Sequence, residues 1–426
     1  MGDGVVEKWS SGALRNKTPS LHPAVPDGLS NPRIMQLVIF SILASIATAN
    51  AADGLLLDLI VPPRDGDRFQ HAEYSCWIAD ASKPVKAVII HQHGCTNASP
   101  DKHPPITGDW HWRALARKHD AALLVPMYHV AKNCDEWNDP DSGSERVLFT
   151  ALENFSNRFG RTEMKDAPWV LWGHSGGSSW SAQMIVRHPE HVLAASFRGG
   201  CHKQFGDPKF RSKFGLIARD LPLLFVWGKR ESTPPSSHFV SWGPMNTMYR
   251  ELREQGGKVC RVIDPRSEHG CDDSRLMSIN FFDAVLSGRA SAEPPIDATV
   301  PWQPNDSFAA LWKEFSEHGT LKTHSSPLHA PSLTAKRDAT GVHLDWRVVP
   351  NLEGGLRAIR FHRDGKLWKE IGIDEDAFLA TSRDSTPEEL RTHNLVDESK
   401  EAHRYSLTFI DAGGNESPPS VTVRVP

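Results

Sequence analysis

The sequence predicts an α/β protein, a doubly wound and mostly parallel sheet between helices, followed by a small all-β sandwich. Short apolar runs such as Val85 to Ile90, Ala121 to Pro126, Val192 to Phe197 and Leu221 to Trp227 alternate with amphipathic stretches. Strands that are apolar on both faces and separated by helices are parallel βαβ units. One such run, from Pro168, stops at Gly173-His174-Ser175-Gly176-Gly177, a serine at the tip of a strand-turn-helix. The third observation is a change of period. After about residue 331 apolar residues recur at every second position, in Val342, Leu344, Trp346, in Tyr405, Leu407, Phe409 and in Val421, Val423, Val425, as in a sandwich.

A chain of 426 residues exceeds one ordinary core. The expected division is an N-terminal extension and signal peptide over 1–51, a catalytic α/β domain over 52–291, a linker with one short helix over 292–330, and the sandwich over 331–426. A net charge of -4 and the lack of a Lys/Arg run exclude a nucleic-acid binder. Leu37 to Ala47 is apolar or small throughout and ends in Ala49-Asn50-Ala51, a small-x-small cleavage signature. It reads as a secretory signal peptide, giving an exported protein with no stable membrane insertion once cleaved; the alternative is an uncleaved membrane anchor over the same segment. The polar stretch before it, Met1 to Arg33, is either upstream of a true start at Met35 or disordered. Export favours disulfides among the six cysteines, Cys76, Cys95, Cys134, Cys201, Cys260 and Cys271, and the sequence does not choose among fifteen connectivities.

Taken in order, Leu55 to Val61 and Tyr74 to Ile78 read as short strands leading into Val85 to Ile90. A helix follows around Trp112 to His119, then the strand from Ala121. The next helix carries Leu148, Leu152, Phe155 and Phe159 on one stripe and ends at Gly160, a C-cap. Past the serine turn come strands from Val192, Leu221 and Val259, and a helix bearing Leu276, Ile279, Phe282 and Leu286. The linker helix carries Phe308, Trp312 and Phe315, and Thr323 to Pro331 follows as polar connection. Asp364-Gly365 and Gly413-Gly414-Asn415 supply turns.

Serine needs a base to take its proton and a carboxylate to orient that base. His269 stands past the last strand and Glu231 past the one before it. His202 and His238 are rival bases, and Asp272 or Asp273 rival acids. The N–H of Gly176 and the amide of Cys95, in His93-Gly94-Cys95, are the expected oxyanion donors. His174, Trp137 and Trp110 are candidate substrate contacts, with Trp112 and Trp242 further loop-side tryptophans on which flat groups would stack. His91, His93 and Cys95 alternate along one segment but lack a second ligand cluster, so no metal site is expected. No cofactor is implied.

With these residues in place, Pro84 to about Leu286 resembles the α/β-hydrolase superfamily, whose chain order of nucleophile, acid and histidine matches Ser175, Glu231, His269. The run His93-Gly94-Cys95-Thr96 resembles the oxyanion loop of polyhydroxybutyrate-depolymerase-like and feruloyl-esterase-like secreted esterases. The resemblance implies a carboxylic-ester hydrolase of the serine type, acting on a small-molecule or polymer ester, possible polysaccharide linkage included. Such families usually carry aspartate where Glu231 stands. The twenty residues between Gly200 and Leu221 leave room for a small lid at most. The C-terminal stretch, through Leu344-Asp345-Trp346, Arg363-Asp364-Gly365 and Tyr405 to Ser417, resembles a fibronectin type III domain. A peptidase on the same triad and a non-catalytic surface-binding shell are the competing readings. The sequence is silent on oligomeric state.

Overall fold

Eight of the expected strands join in one sheet. The computed structural model describes residues 54–95, 109–130, 136–271, 273–321, 330–347, 357–372, 394–411 and 414–426. The sheet contains β1 (Leu55–Val61), β2 (His71–Ile78), β3 (Ala87–Gln92), β4 (Ala121–His129), β5 (Trp169–His174), β6 (Val192–Arg198), β7 (Leu223–Gly228) and β8 (Val259–Asp264). Its spatial order is β1-β2-β4-β3-β5-β6-β7-β8. β2 runs antiparallel to both β1 and β4, and every pairing from β4 to β8 is parallel. This is a mostly parallel α/β sheet with an antiparallel edge, as the alternation of apolar strands and helices predicts.

Helices cover both faces, which is why the parallel strands are apolar on both sides. Along β5, Trp169 and Leu171 enter one core while Val170 and Trp172 enter the other. The first core holds α2 (Ser144–Phe159), α3 (Gly176–Arg187), α5 (Pro208–Ala218) and α6 (Phe239–Glu254) through Phe155, Trp180, Phe214 and Met245. The second holds α1 (Trp110–Lys118), α7 (Ser274–Leu286) and α8 (Asp306–His318) through Leu115, Phe282 and Phe315. Gly160 caps α2 with a φ of 67°, the left-handed conformation that glycine adopts without steric cost.

Several expectations are corrected. The segment after Gly200, where the sequence left room for a small lid at most, forms α4 (His202–Gly206) and α5, which bury Phe205 and Phe214 in the first core. The linker helix is part of the α/β unit, because Trp302, Phe308, Leu311, Phe315 and Leu321 complete the second core and the Trp312 indole donates to the Arg261 carbonyl at 2.6 Å. Cys76, Cys201 and Cys260 are buried free thiols, whereas Cys95 is held in a disulfide. Cys134 and the signal-peptide region lie outside the described residues, as does most of Thr323 to Pro331. Among the described residues no helix is long and apolar enough to cross a membrane.

Seven further strands form two antiparallel sheets: β13 (Asn394–Asp397), β10 (Val342–Arg347) and β9 (Ser332–Arg337) in one, and β12 (Lys366–Gly372), β11 (Ala358–Arg363), β14 (His403–Ile410) and β15 (Val423–Val425) in the other. Leu344, Trp346, Phe361, Tyr405 and Leu407 share the core between them. Val421 is exposed and precedes its expected strand, while Asp364 and Gly365 turn β11 into β12 with φ of 53° and 76°, the positive pair that a tight hairpin requires. This module is fastened to the α/β unit by Arg357, whose guanidinium meets Asp273 at 3.0 Å just before α7.

Candidate active site

The site begins with the steric demands of the serine turn. Ser175 has φ 52° and ψ -112°, a conformation that side chains rarely adopt and that must be held by its surroundings. Its N–H donates to the Arg198 carbonyl at 2.9 Å, tying the turn to β6. A Cβ on Gly173 would lie 2.5 Å from the Gly177 carbonyl oxygen, and one on Gly177 would lie 2.3 Å from that of Gln92. Both glycines are therefore obligatory for the turn to sit against β3. α3 opens at Gly176, so the first unpaired N–H groups of that helix and its positive dipole end face the serine.

Three loops converge on Ser175. The one after β3 brings Gly94 so close that an added Cβ would be 3.2 Å from the serine Cβ, with the exposed Cys95 next along the chain. The one after β6 brings Gly199 and Gly200, both with positive φ. A Cβ on Gly200 would lie 2.0 Å from the Ser175 carbonyl oxygen, and one on Gly199 would lie 2.9 Å from His269 Cε1. The one after β8 carries His269, which is anchored by its own carbonyl accepting from His174 Nε2 at 2.8 Å.

His269 Nδ1 bonds Glu231 Oε1, and its Nε2 is buried without a hydrogen-bond partner among the described residues. Glu231 is almost fully buried, 2% exposed. Its other oxygen accepts from the Gly228 N–H at 3.0 Å and from Arg198 at 3.4 Å. Arg198 also donates to Ser267 Oγ at 3.0 Å, to the Glu268 carbonyl at 2.7 Å and to the Gly270 carbonyl. One buried guanidinium thus compensates the carboxylate and pins the histidine loop. Burial, then the Arg198 charge, then the neighbouring His238 hold the His269 pKa well below the usual histidine value.

The rivals are placed elsewhere. Asp273 is engaged by Arg357 and Arg275, Asp272 lies outside the described residues, and His202 opens α4 with its backbone after a left-handed Cys201. His238 reaches the site by stacking on His269, and its nearest carboxylate among the described residues, Glu268, stands at 3.9 Å. Trp137 is fully buried, stacked on Tyr128 with centroids 5.1 Å apart, so it is packing and offers no open face to a substrate. Trp112 is likewise buried and Trp242 packs on the first core from α6. Trp110 begins α1, and its side chain lies outside the described residues. His174 is a brace between two loops, Gly94 and His269.

No family model matches the chain, and no curated protein matches it. Solved structures do resemble it. An esterase of Pyrobaculum calidifontis is 14% identical, covering 61% of this chain and 93% of its own, with a TM-score of 0.37. A Rhizomucor miehei esterase is 13% identical over 63% of this chain and 93% of its own, with a TM-score of 0.36. A carboxyl esterase from Bacillus coagulans is 11% identical over 54% and 99%, also with a TM-score of 0.36.

Sequence reasoning missed Arg198 and the roles of Gly199 and Gly200, and it named His238 only as a rival base, not as the ring stacked on His269. The glycine pair was visible as a strand terminator, but nothing local marks Arg198, which ends an apolar strand and acts through Glu231 and the His269 loop, 33 to 72 positions further along the chain. What the assembled site offers chemically is a strained hydroxyl, an oriented imidazole with a free nitrogen, and a helix N-terminus beside both.

Proposed function

We propose that this chain is a serine hydrolase acting on carboxylic esters. The observation that carries the reading is the pairing of His269 Nδ1 with the buried Glu231 carboxylate, which leaves Nε2 free at the serine turn. Glu231 keeps the imidazole in the tautomer whose Nε2 accepts a proton. Ser175 Oγ attacks the ester carbonyl while His269 takes its hydrogen, and negative charge gathers on the carbonyl oxygen. The Gly176 and Cys95 amides receive that charge, each such donor being worth about 3 to 4 kcal/mol of barrier. The imidazolium then protonates the leaving alkoxide, and water activated by the same nitrogen releases the acid from the acyl-enzyme.

The residues after β6 form core helices and no lid, which favours a site open to bulky or polymeric esters over one closed around a small molecule. The seven-strand module is read as fibronectin type III-like, supported by its sheet composition and by the Tyr405 hydroxyl bonding Asp397 at 2.8 Å across the β13–β14 corner. We assign it a spacing or docking role and the chain an exported location, the latter on the Leu37 to Ala47 signature alone.

The test is Ser175→Ala, assayed on a short p-nitrophenyl ester. Turnover is expected to fall by about 10⁴-fold or more with the fold unchanged, and a fluorophosphonate is expected to label the unmodified protein at Ser175 only. Undiminished turnover in the variant defeats the assignment. A panel of amides tested beside the esters distinguishes a peptidase.

A further inference from the structure

We propose that His71, Glu73 and His129 form a binding site for a divalent transition metal of the zinc class. The site is independent of the hydrolase reading. β2 and β4 pair antiparallel with His71 directly opposite His129, and Glu73 stands two residues along β2 on the same face. The two imidazoles stack with centroids 4.0 Å apart and planes 14° from parallel. Both present Nε2 to the same atom, Glu73 Oε1, from 3.4 Å for His71 and 3.2 Å for His129. All three ligating atoms lie within 4.8 Å of one another.

Those spacings discriminate between an ion and a simple polar cluster. An N–H···O bond prefers about 2.9 Å, whereas ligands sharing a tetrahedral ion at about 2.0 to 2.1 Å stand roughly 3.3 Å apart. The observed separations bracket the second value. The His129 side chain is only 10% exposed, and its Nε2 has no hydrogen-bond partner among the described residues. A buried polar nitrogen aimed into a cluster and left unbonded is costly unless something occupies the space it faces.

Two imidazoles with one carboxylate suit zinc, cobalt, nickel or copper and not the all-oxygen preference of calcium or magnesium. Three protein ligands leave a fourth position open. His129 ends β4 at the same rim where β3 and β5 end, so the ion would sit two strands from the serine turn and staple β2 to β4.

The experiment strips the full chain with a chelator and titrates it with Zn²⁺ by calorimetry and with Co²⁺ by visible absorption. One equivalent is expected to bind, with the intense bands of four-coordinate cobalt. Glu73→Gln and His129→Ala are each expected to weaken zinc binding by about 100-fold or more, while Ser175→Ala binds like the unmodified chain. Glu73 is part-exposed, so Glu73→Gln decides the matter should His129→Ala melt early in chelator. Failure of the unmodified chain to bind one equivalent overturns the proposal, as does a cobalt spectrum that persists unchanged in Glu73→Gln.

Discussion

The imidazole of His238 lies flat on that of His269, with ring centroids 3.6 Å apart and planes 3° from parallel. His238 is the residue immediately before α6 and is 41% exposed at its side chain, so it stands between the His269 ring and solvent. Three influences lower the His269 pKa, in the order burial, Arg198 and His238. A base works while neutral. A lowered pKa keeps His269 neutral to more acidic pH, so on the proposed function the acid limb of kcat/KM is expected below pH 6.5.

His238→Ala removes one of those influences and admits water to a second, and both changes raise the pKa. The acid limb is therefore expected to move upward, toward the value of a solvated imidazole, with kcat at pH 8 nearly unchanged. The pH profile of ester hydrolysis checks this. A limb that stays put would make the stack mere packing.

The parts of the site legible in the sequence were those whose chemistry is local. Gly173 to Gly177 advertise their turn because the glycines sit beside the residue that needs them, and Glu231 and His269 stand directly past apolar strands. Arg198 was not legible, because its partners Glu231, Ser267, Glu268 and Gly270 come from two later loops. His71 and His129 are fifty-eight positions apart in the numbering and meet only through the β2–β4 register. The helix carrying Phe308 looked like linker because its polar flanks resemble one; its burial follows from the uncovered edge of β8, which no local pattern reveals. Trp137 misled in the opposite sense, since a loop position says nothing of depth when the loop itself folds onto Tyr128.

Gly199 and Gly200 give a second prediction. An alanine at 200 would need a left-handed backbone and would drive its Cβ into the Ser175 carbonyl, a backbone atom that cannot swing aside. Relief requires the serine turn or the glycine loop to shift by an ångström or so. Misplacement on that scale costs on the order of 10²-fold in rate. Gly200→Ala is expected to lose that much in kcat on a p-nitrophenyl ester. Gly206→Ala, where an added Cβ meets nothing within 4 Å, serves as the control and is expected to keep full activity.

The third prediction concerns stability in acid, and it follows from two histidines that no catalytic step uses. His91 is completely buried, stacked on Trp172 at 3.9 Å and edge-on to Trp112 at 5.0 Å. Burial pushes its pKa down to about 3, with Asp109 opposing. His111 is also fully buried, and burial lowers it to about 4, again against Asp109. In the unfolded chain both titrate near 6.5. Between pH 6.5 and those lowered values the unfolded state binds protons that the native state refuses, so stability falls as pH falls. Each ring contributes a slope of up to about 1.4 kcal/mol per pH unit, ending near pH 4 for His111 and pH 3 for His91. Ordinary carboxylates titrate below about pH 5, which leaves the span from 6.5 to 5 as the window in which histidine dominates. Urea unfolding at pH 7, 6 and 5 is expected to show the decline. His91→Phe, which keeps a flat ring between the two tryptophans and removes the titration, is expected to flatten it by about 1.4 kcal/mol per unit at the acid end of that window. An equal slope in the variant would mean that the ring at 91 charges as readily in the native state as in the unfolded chain, which its burial between Trp112 and Trp172 forbids unless that packing opens in acid.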